Sequence, residues 1–129
     1  MGLRVLLVDD DELVIRAMRR GLRDHDVIGL TDPVEARALI AAGERFDAIV
    51  SDLMMPVLTG AELYDEIARI APEQAERVIF VTAGATTVDL QEFLRRCARP
   101  ILEKPVDLDR LEEAIKSVSA QQTSSRTRR

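Results

Sequence analysis

Five short apolar runs rich in β-branched residues recur along the chain, at Arg4 to Val8, Val27 to Leu30, Ala48 to Val50, Val78 to Val81 and Ile101 to Leu102. Each is followed by a stretch in which apolar residues return every three or four positions: Leu13, Val14, Ala17, Met18 and Leu22; Ala36, Leu39 and Ile40; Leu63, Ile67 and Ile70; Leu90, Phe93 and Leu94; Leu108, Leu111, Ile115 and Val118. An unbroken apolar run fits a strand buried on both faces, and a period of 3.6 fits an amphipathic helix. Parallel neighbours need a crossover of a dozen or more residues, and a helix with one apolar stripe packs back onto the sheet it has just left. The alternation therefore predicts an α/β fold: a single doubly wound, five-stranded parallel sheet with helices on both faces. Punctuation agrees, since Asp32-Pro33 opens the second helix, Gly43 closes it and Pro72 ends the third.

With 129 residues the chain is read as one domain over residues 1–120, followed by a basic, apolar-poor tail or linker, "QQTSSRTRR", over 121–129. Net charge is -5 although three positive charges sit in the last four residues, so the folded part is acidic and no direct contact with nucleic acid is expected. Three Phe, one Tyr and no Trp leave little to stack on bases. The single Cys97 cannot form an internal disulfide, and no apolar stretch reaches membrane-spanning length, so no membrane contact is expected and the cytoplasm is the expected compartment. His25 stands alone in a polar turn and is expected at the surface without a partner.

In an open α/β sheet, ligands bind beyond the carboxyl ends of the strands, so the residues that follow each apolar run are the ones to read for chemistry. They are Asp9, Asp10 and Asp11 after the first, Ser51 and Asp52 after the third, Thr82 and Ala83 after the fourth, and Glu103, Lys104 and Pro105 after the fifth. Carboxylates so crowded repel one another unless a cation offsets the repulsion. Clustered acids, a hydroxyl and an ammonium make a site for a hard cation and a phosphoryl group: Mg²⁺ takes one or two carboxylates plus water and phosphate oxygens, and a carboxylate can attack phosphorus. Each residue also has a plainer reading: Asp9 or Asp10 as a helix cap, Asp52 as a loop acid, Thr82 as a strand terminator, Lys104 as a surface lysine.

"LLVDDDE", "AIVSDLMMPVLTG", "VIFVTAG" and "LEKPVDLDRLEEAI" together, in this order over residues 3 to 120, resemble the receiver domain of two-component response regulators. The resemblance implies a flavodoxin-like strand order 2-1-3-4-5 and assigns roles by position. Asp52 matches the phosphoacceptor; Asp10 the direct Mg²⁺ ligand; Asp9 the acid that holds the metal through water or hydrogen bonds; and Met54 the residue whose backbone carbonyl completes the metal site, which Mn²⁺ would also suit. Thr82 matches the hydroxyl that turns toward the phosphoryl group, Ala83 adds a backbone N–H, and Lys104 pairs with Asp52 and then with the phosphate, ahead of a cis bond to Pro105. Asp11 and Glu12 are left to face solvent at the start of the first helix, and the side chains of Met54 and Met55 are read as packing residues. The implied partner is a histidine kinase or a histidine phosphotransfer domain, a weak homodimer is allowed, and any catalysis is limited to the chain's own Mg²⁺-dependent phosphorylation and dephosphorylation.

The match departs from the family at Ile101, where an aromatic that moves with the threonine is usual; a β-branched side chain has few χ1 choices and no ring to swing. "PILEKPVDLDRLEEAI" is similar to receivers of hybrid histidine kinases, which leaves relay of the phosphoryl group beside stand-alone regulation. A haloacid-dehalogenase-like phosphatase also forms an aspartyl phosphate, but needs a further apolar strand followed by acids after Lys104, where the sequence reads as helix. A degenerate receiver that binds partners unphosphorylated is opposed by the full set Asp9, Asp10, Asp52, Thr82 and Lys104.

Overall fold

The computed structural model describes residues 2–84 and 87–127, with side chains up to Ala120. In chain order the elements are β1 (Arg4–Val8), α1 (Glu12–Gly21), β2 (Asp26–Leu30), α2 (Pro33–Ala41), β3 (Ala48–Asp52), α3 (Gly60–Ile70), α4 (Pro72–Ala75), β4 (Val78–Thr82), α5 (Val88–Cys97), β5 (Ile101–Glu103) and α6 (Leu108–Thr127). The strands form one parallel sheet in the order β2-β1-β3-β4-β5, the doubly wound arrangement that the alternation and the resemblance imply. The order reverses between β1 and β3, which opens a crevice at their carboxyl ends.

Alternation along the strands builds two cores. Leu6 and Val8 of β1 face one side with Ile40, Ile49, Leu63, Ile67, Phe80 and Phe93, beneath α2, α3 and α5. Val5 and Leu7 face the other with Ile15, Met18, Leu22, Ile79, Leu111 and Ile115, beneath α1 and α6. Side chains cap the helix starts where the sequence offers them. Asp11 accepts from Leu13 N–H and Asp32 from Val34 N–H, while Thr59 and Glu62 close a capping box at α3. No helix among the described residues is long and apolar enough to cross a membrane.

Two expectations are corrected and a third is extended. His25 is not a solitary surface residue: its side chain is only 6 % exposed, Nδ1 accepts from Leu3 N–H at 2.9 Å, and Nε2 lies 2.7 Å from Glu112 Oε2. A ring that accepts at Nδ1 carries its proton at Nε2, and the turn thereby joins the chain start to α6. The side chain of Met54 does not pack, being 53 % exposed, whereas Met55 is buried as expected. The α3–β4 connection is more than the end of a helix, because Pro72 restarts one turn as α4, and buried Gln74 in it holds both the N–H and the carbonyl of Phe46 at the entry to β3. The missing N–H that makes proline end one helix also suits it to the first position of the next, as Pro33 does for α2, so Pro72 serves both ends here. The tail expected over residues 121–129 instead continues α6 as far as Thr127, and residues 128–129 lie outside the described residues.

Candidate functional site

Register places the acids. β1 and β3 pair with Val8 opposite Ser51, so the next residue on each, Asp9 and Asp52, leaves the sheet side by side. Both are buried, at 2 % and 4 % exposure, while Asp10 is exposed. One carboxylate oxygen from each of Asp9, Asp10 and Asp52 lies within 4.8 Å of the others. Asp11, although next in sequence, turns away to cap α1.

From the other side of the crevice comes Lys104, whose backbone N–H donates to the Thr82 carbonyl at 2.7 Å as β5 leaves β4. Its ammonium lies 2.9 Å from Asp9 Oδ2 and 3.6 Å from Asp52 Oδ2, and the bond that follows, to Pro105, is cis. Asp9 Oδ1 accepts from Asp11 N–H at 2.9 Å; Asp9 Oδ2, also buried, has the ammonium as counter-charge but no donor aligned for a hydrogen bond. Asp52 Oδ1 receives only a long contact, 3.4 Å, from Met54 N–H.

Burial raises the pKa of Asp52 above the usual carboxylate range, the Asp9 charge raises it further, and Lys104 and the Met54 N–H only partly oppose them. For Lys104 burial disfavours the charge, but Asp9 and Asp52 outweigh it and lift the ammonium's pKa. The pocket thus holds more negative charge than its one lysine balances. A divalent cation fits it. In an octahedral Mg²⁺ site with oxygens at about 2.1 Å, opposite ligands lie about 4.2 Å apart and adjacent ones about 3 Å, so the three oxygens, within 4.8 Å of one another, would draw together around an ion.

Thr82 ends β4 next to β3, where Val81 lies opposite Asp52. It is buried, and its Oγ1 accepts from Gly84 N–H at 3.2 Å. Ala83 follows it, exposed. Ile101 sits on the edge strand β5, 40 % exposed, and the rings behind Thr82 are instead Phe80, Phe93 and Tyr64, mutually 5.6–5.8 Å apart. Thus Asp9, Asp10, Asp52 and Lys104 converge, and Thr82 and Ala83 continue the neighbouring strand at the same end of the sheet.

Two features of the loop between β3 and α3 were not legible in "LMMPVLTG". Gly60 N–H donates to the Leu53 carbonyl at 3.0 Å, and a Cβ on Gly60 would fall 2.2 Å from the Asp52 carbonyl oxygen, so the helix start rests directly on the backbone of Asp52. Val57 adopts φ 72°, unusual for a β-branched residue. The Met55-Pro56 turn signal marks a loop without specifying which residue takes the left-handed conformation.

Comparison with known proteins agrees with this geometry. The family model for the response regulator receiver domain matches residues 5–116. A response regulator receiver protein of Anaeromyxobacter sp. (strain Fw109-5) is 34 % identical over 109 residues, which is 84 % of this chain and 45 % of that protein. The chain therefore spans about half the length of this curated relative. Among solved structures, a Francisella response regulator receiver domain is 28 % identical with TM-score 0.76, covering 93 % of this chain and 98 % of its own. A CheY-like receiver domain protein of Methanospirillum hungatei JF-1 is 25 % identical with TM-score 0.85, covering 97 % and 99 %.

Proposed function

The chain belongs to the response regulator receiver domain family, and on that premise we propose that Asp52 is the residue that accepts the phosphoryl group. Receiver domains are signalling switches of two-component systems rather than conventional enzymes. They bind Mg²⁺ at an acidic pocket and are phosphorylated by histidine kinases or histidine phosphotransfer proteins. In this reading a carboxylate oxygen of Asp52 attacks the phosphorus of a partner's phosphohistidine. The P–N bond breaks, its electron pair stays on the imidazole nitrogen, and that nitrogen ends protonated. Asp9, Asp10, Asp52 and the Met54 carbonyl would hold Mg²⁺, or Mn²⁺, which when bound neutralises charge and orients oxygens.

Lys104 supplies the fixed positive charge beside Asp52. The Thr82 hydroxyl exchanges the Gly84 N–H for a phosphoryl oxygen, and the Ala83 N–H donates to the same group. Residues 1–120 form the receiver and 121–129 the link beyond it, acting in the cytoplasm. A phosphatase of the haloacid dehalogenase type is not favoured, because the described residues after Lys104 form helix α6 rather than the strand that such an enzyme needs.

The observation that carries the reading is one ammonium, 2.9 and 3.6 Å from two buried carboxylates that also face a third. With Mg²⁺ and acetyl phosphate, intact-mass analysis is expected to register one added phosphoryl group on the wild type and none on Asp52→Asn. An adduct that survives that substitution refutes the assignment.

A further inference from the structure

The acids of the crevice have a counterpart at the opposite end of the sheet. All five strands are parallel, so their first residues gather at one end, and there the sequence supplies arginine. Arg4 opens β1, Arg45 stands three residues before β3, Arg77 immediately precedes β4, and these three strands are neighbours. The three arginines line one cavity of about 330 Å³ together with Phe46, Asp47 and Glu73. Its lining carries more arginines than acids, although the chain as a whole has a net charge of -5.

Backbone carbonyls hold the arginines in place without neutralising them. Arg4 Nη1 donates to the Arg45 carbonyl at 2.8 Å, and its guanidinium lies 4.6 Å from the centroid of the Phe46 ring. Arg45 Nη1 donates to the carbonyls of Ile40 and Glu44 at 3.1 and 2.8 Å. Arg77, only 4 % exposed, donates from Nη1 to the Asp47 carbonyl at 3.0 Å. The acids are held less firmly. Asp47 Oδ1 is 3.6 Å from Arg77 Nη1. Arg4 and Arg45 pair with Glu44 and Glu73 at 2.6 and 2.9 Å, but all four side chains are 36–45 % exposed. Exposed pairs of that kind contribute little, so Glu73 can leave Arg45 when a stronger acceptor arrives, and its departure makes the lining more positive.

We propose that this cavity is a second ligand site, for a small anion of the diphosphate class, distinct from the crevice around Asp52. A guanidinium presents a planar fork of donors that matches phosphate oxygens two at a time. Forks brought from three neighbouring strands suit an anion with more than one phosphoryl group, and a volume near the lower end of small-molecule pockets suits a compact one. The inference does not depend on the role of Asp52, because the length of β3, about 13 Å from Ala48 to Asp52 at roughly 3.3 Å per residue, separates the two sites.

The test titrates the protein with sodium pyrophosphate in metal-free buffer, followed by calorimetry and by ¹H–¹⁵N NMR. Wild type is expected to bind one pyrophosphate, with amide shifts concentrated at 45–47 and 73–77. Arg45→Gln removes an exposed arm and is expected to weaken binding about tenfold or more. Arg45→Lys keeps the charge but loses the fork, and is expected to fall between Arg45→Gln and wild type. Arg95→Gln, which removes the same charge at an exposed position on α5, and Asp52→Asn are expected to change the affinity by less than about twofold. ADP separates the sources of the diphosphate: weaker binding than pyrophosphate assigns the inorganic anion, and equal or tighter binding a nucleoside diphosphate. Sulfate that binds as tightly as pyrophosphate overturns the diphosphate class. No binding by wild type at millimolar pyrophosphate, equal losses in Arg45→Gln and Arg95→Gln, or loss of binding in Asp52→Asn overturns the site itself.

Discussion

Helix α5 is held to the sheet by one fully buried side chain, Phe93, with Leu90, Leu94 and Cys97 only partly covered. The Phe93 ring meets Phe80 at 5.6 Å and 70° and Tyr64 at 5.6 Å and 82°, both edge-on, and the Arg96 guanidinium lies 5.4 Å from its centroid. Replacing it by alanine removes roughly 200 Å² of buried apolar surface, about 5 kcal/mol at 25 cal/mol per Å². Phenylalanine-to-alanine changes in cores cost about 3–5 kcal/mol, so the two estimates agree. That loss is a large part of the roughly 5–15 kcal/mol that holds a domain together, and here it falls on one helix with few other contacts.

Phe93→Ala is therefore expected to undock α5 while the sheet stays folded. Hydrogen exchange followed by mass spectrometry should show amides of 90–97 losing about two to three and a half orders of magnitude in protection, at about 1.4 kcal/mol per tenfold. Amides of β1 and β3 should keep a protection limited only by global unfolding. Protection lost evenly across β1, β3 and β4, or retained in α5, would refute the view that one aromatic side chain docks this helix. The consequence reaches the site, because Phe80 lies two residues before Thr82 on β4 and packs directly on Phe93.

Asp52→Asn is expected to stabilise the metal-free protein. The folded pKa of Asp52 is raised above its unfolded value, so its carboxylate destabilises the fold once both states are ionised, and that penalty vanishes as pH falls below the unfolded value near 3.8. Urea midpoints with a chelator present should favour the variant at pH 7 and converge with wild type toward pH 3.8; a variant less stable at pH 7 refutes the electrostatic account. Gly60→Ala reverses the usual propensity rule. Alanine in a helix normally gains about 1 kcal/mol over glycine, but this Cβ would lie 2.2 Å from the Asp52 carbonyl oxygen, so a loss of about 1–3 kcal/mol or more is expected. Acetyl phosphate labelling should slow as well because Asp52 is displaced, and normal stability with normal labelling would show that the loop yields freely.

What the sequence alone determined was local: apolar periodicity marks where strands and helices lie, and position after each strand marks Asp9, Asp10, Asp52, Thr82 and Lys104 as residues at one edge of the sheet. Those signals reach no further than a few residues along the chain. Asp9 and Asp11 are chemically identical and two positions apart; the resemblance already left Asp11 at the start of the first helix, and the pairing of β1 with β3 gives the physical reason that Asp9 enters the acidic pocket while Asp11 caps α1. His25 finds Glu112 across 87 residues, and Gln74 holds Phe46 across 28. The left-handed turn at Val57 follows from a loop pinned at Leu53, Met55 and Gly60 rather than from the preference of valine. Such contacts form between segments distant in sequence, and their geometry is set by packing once the chain has closed, so no spacing along the chain encodes them.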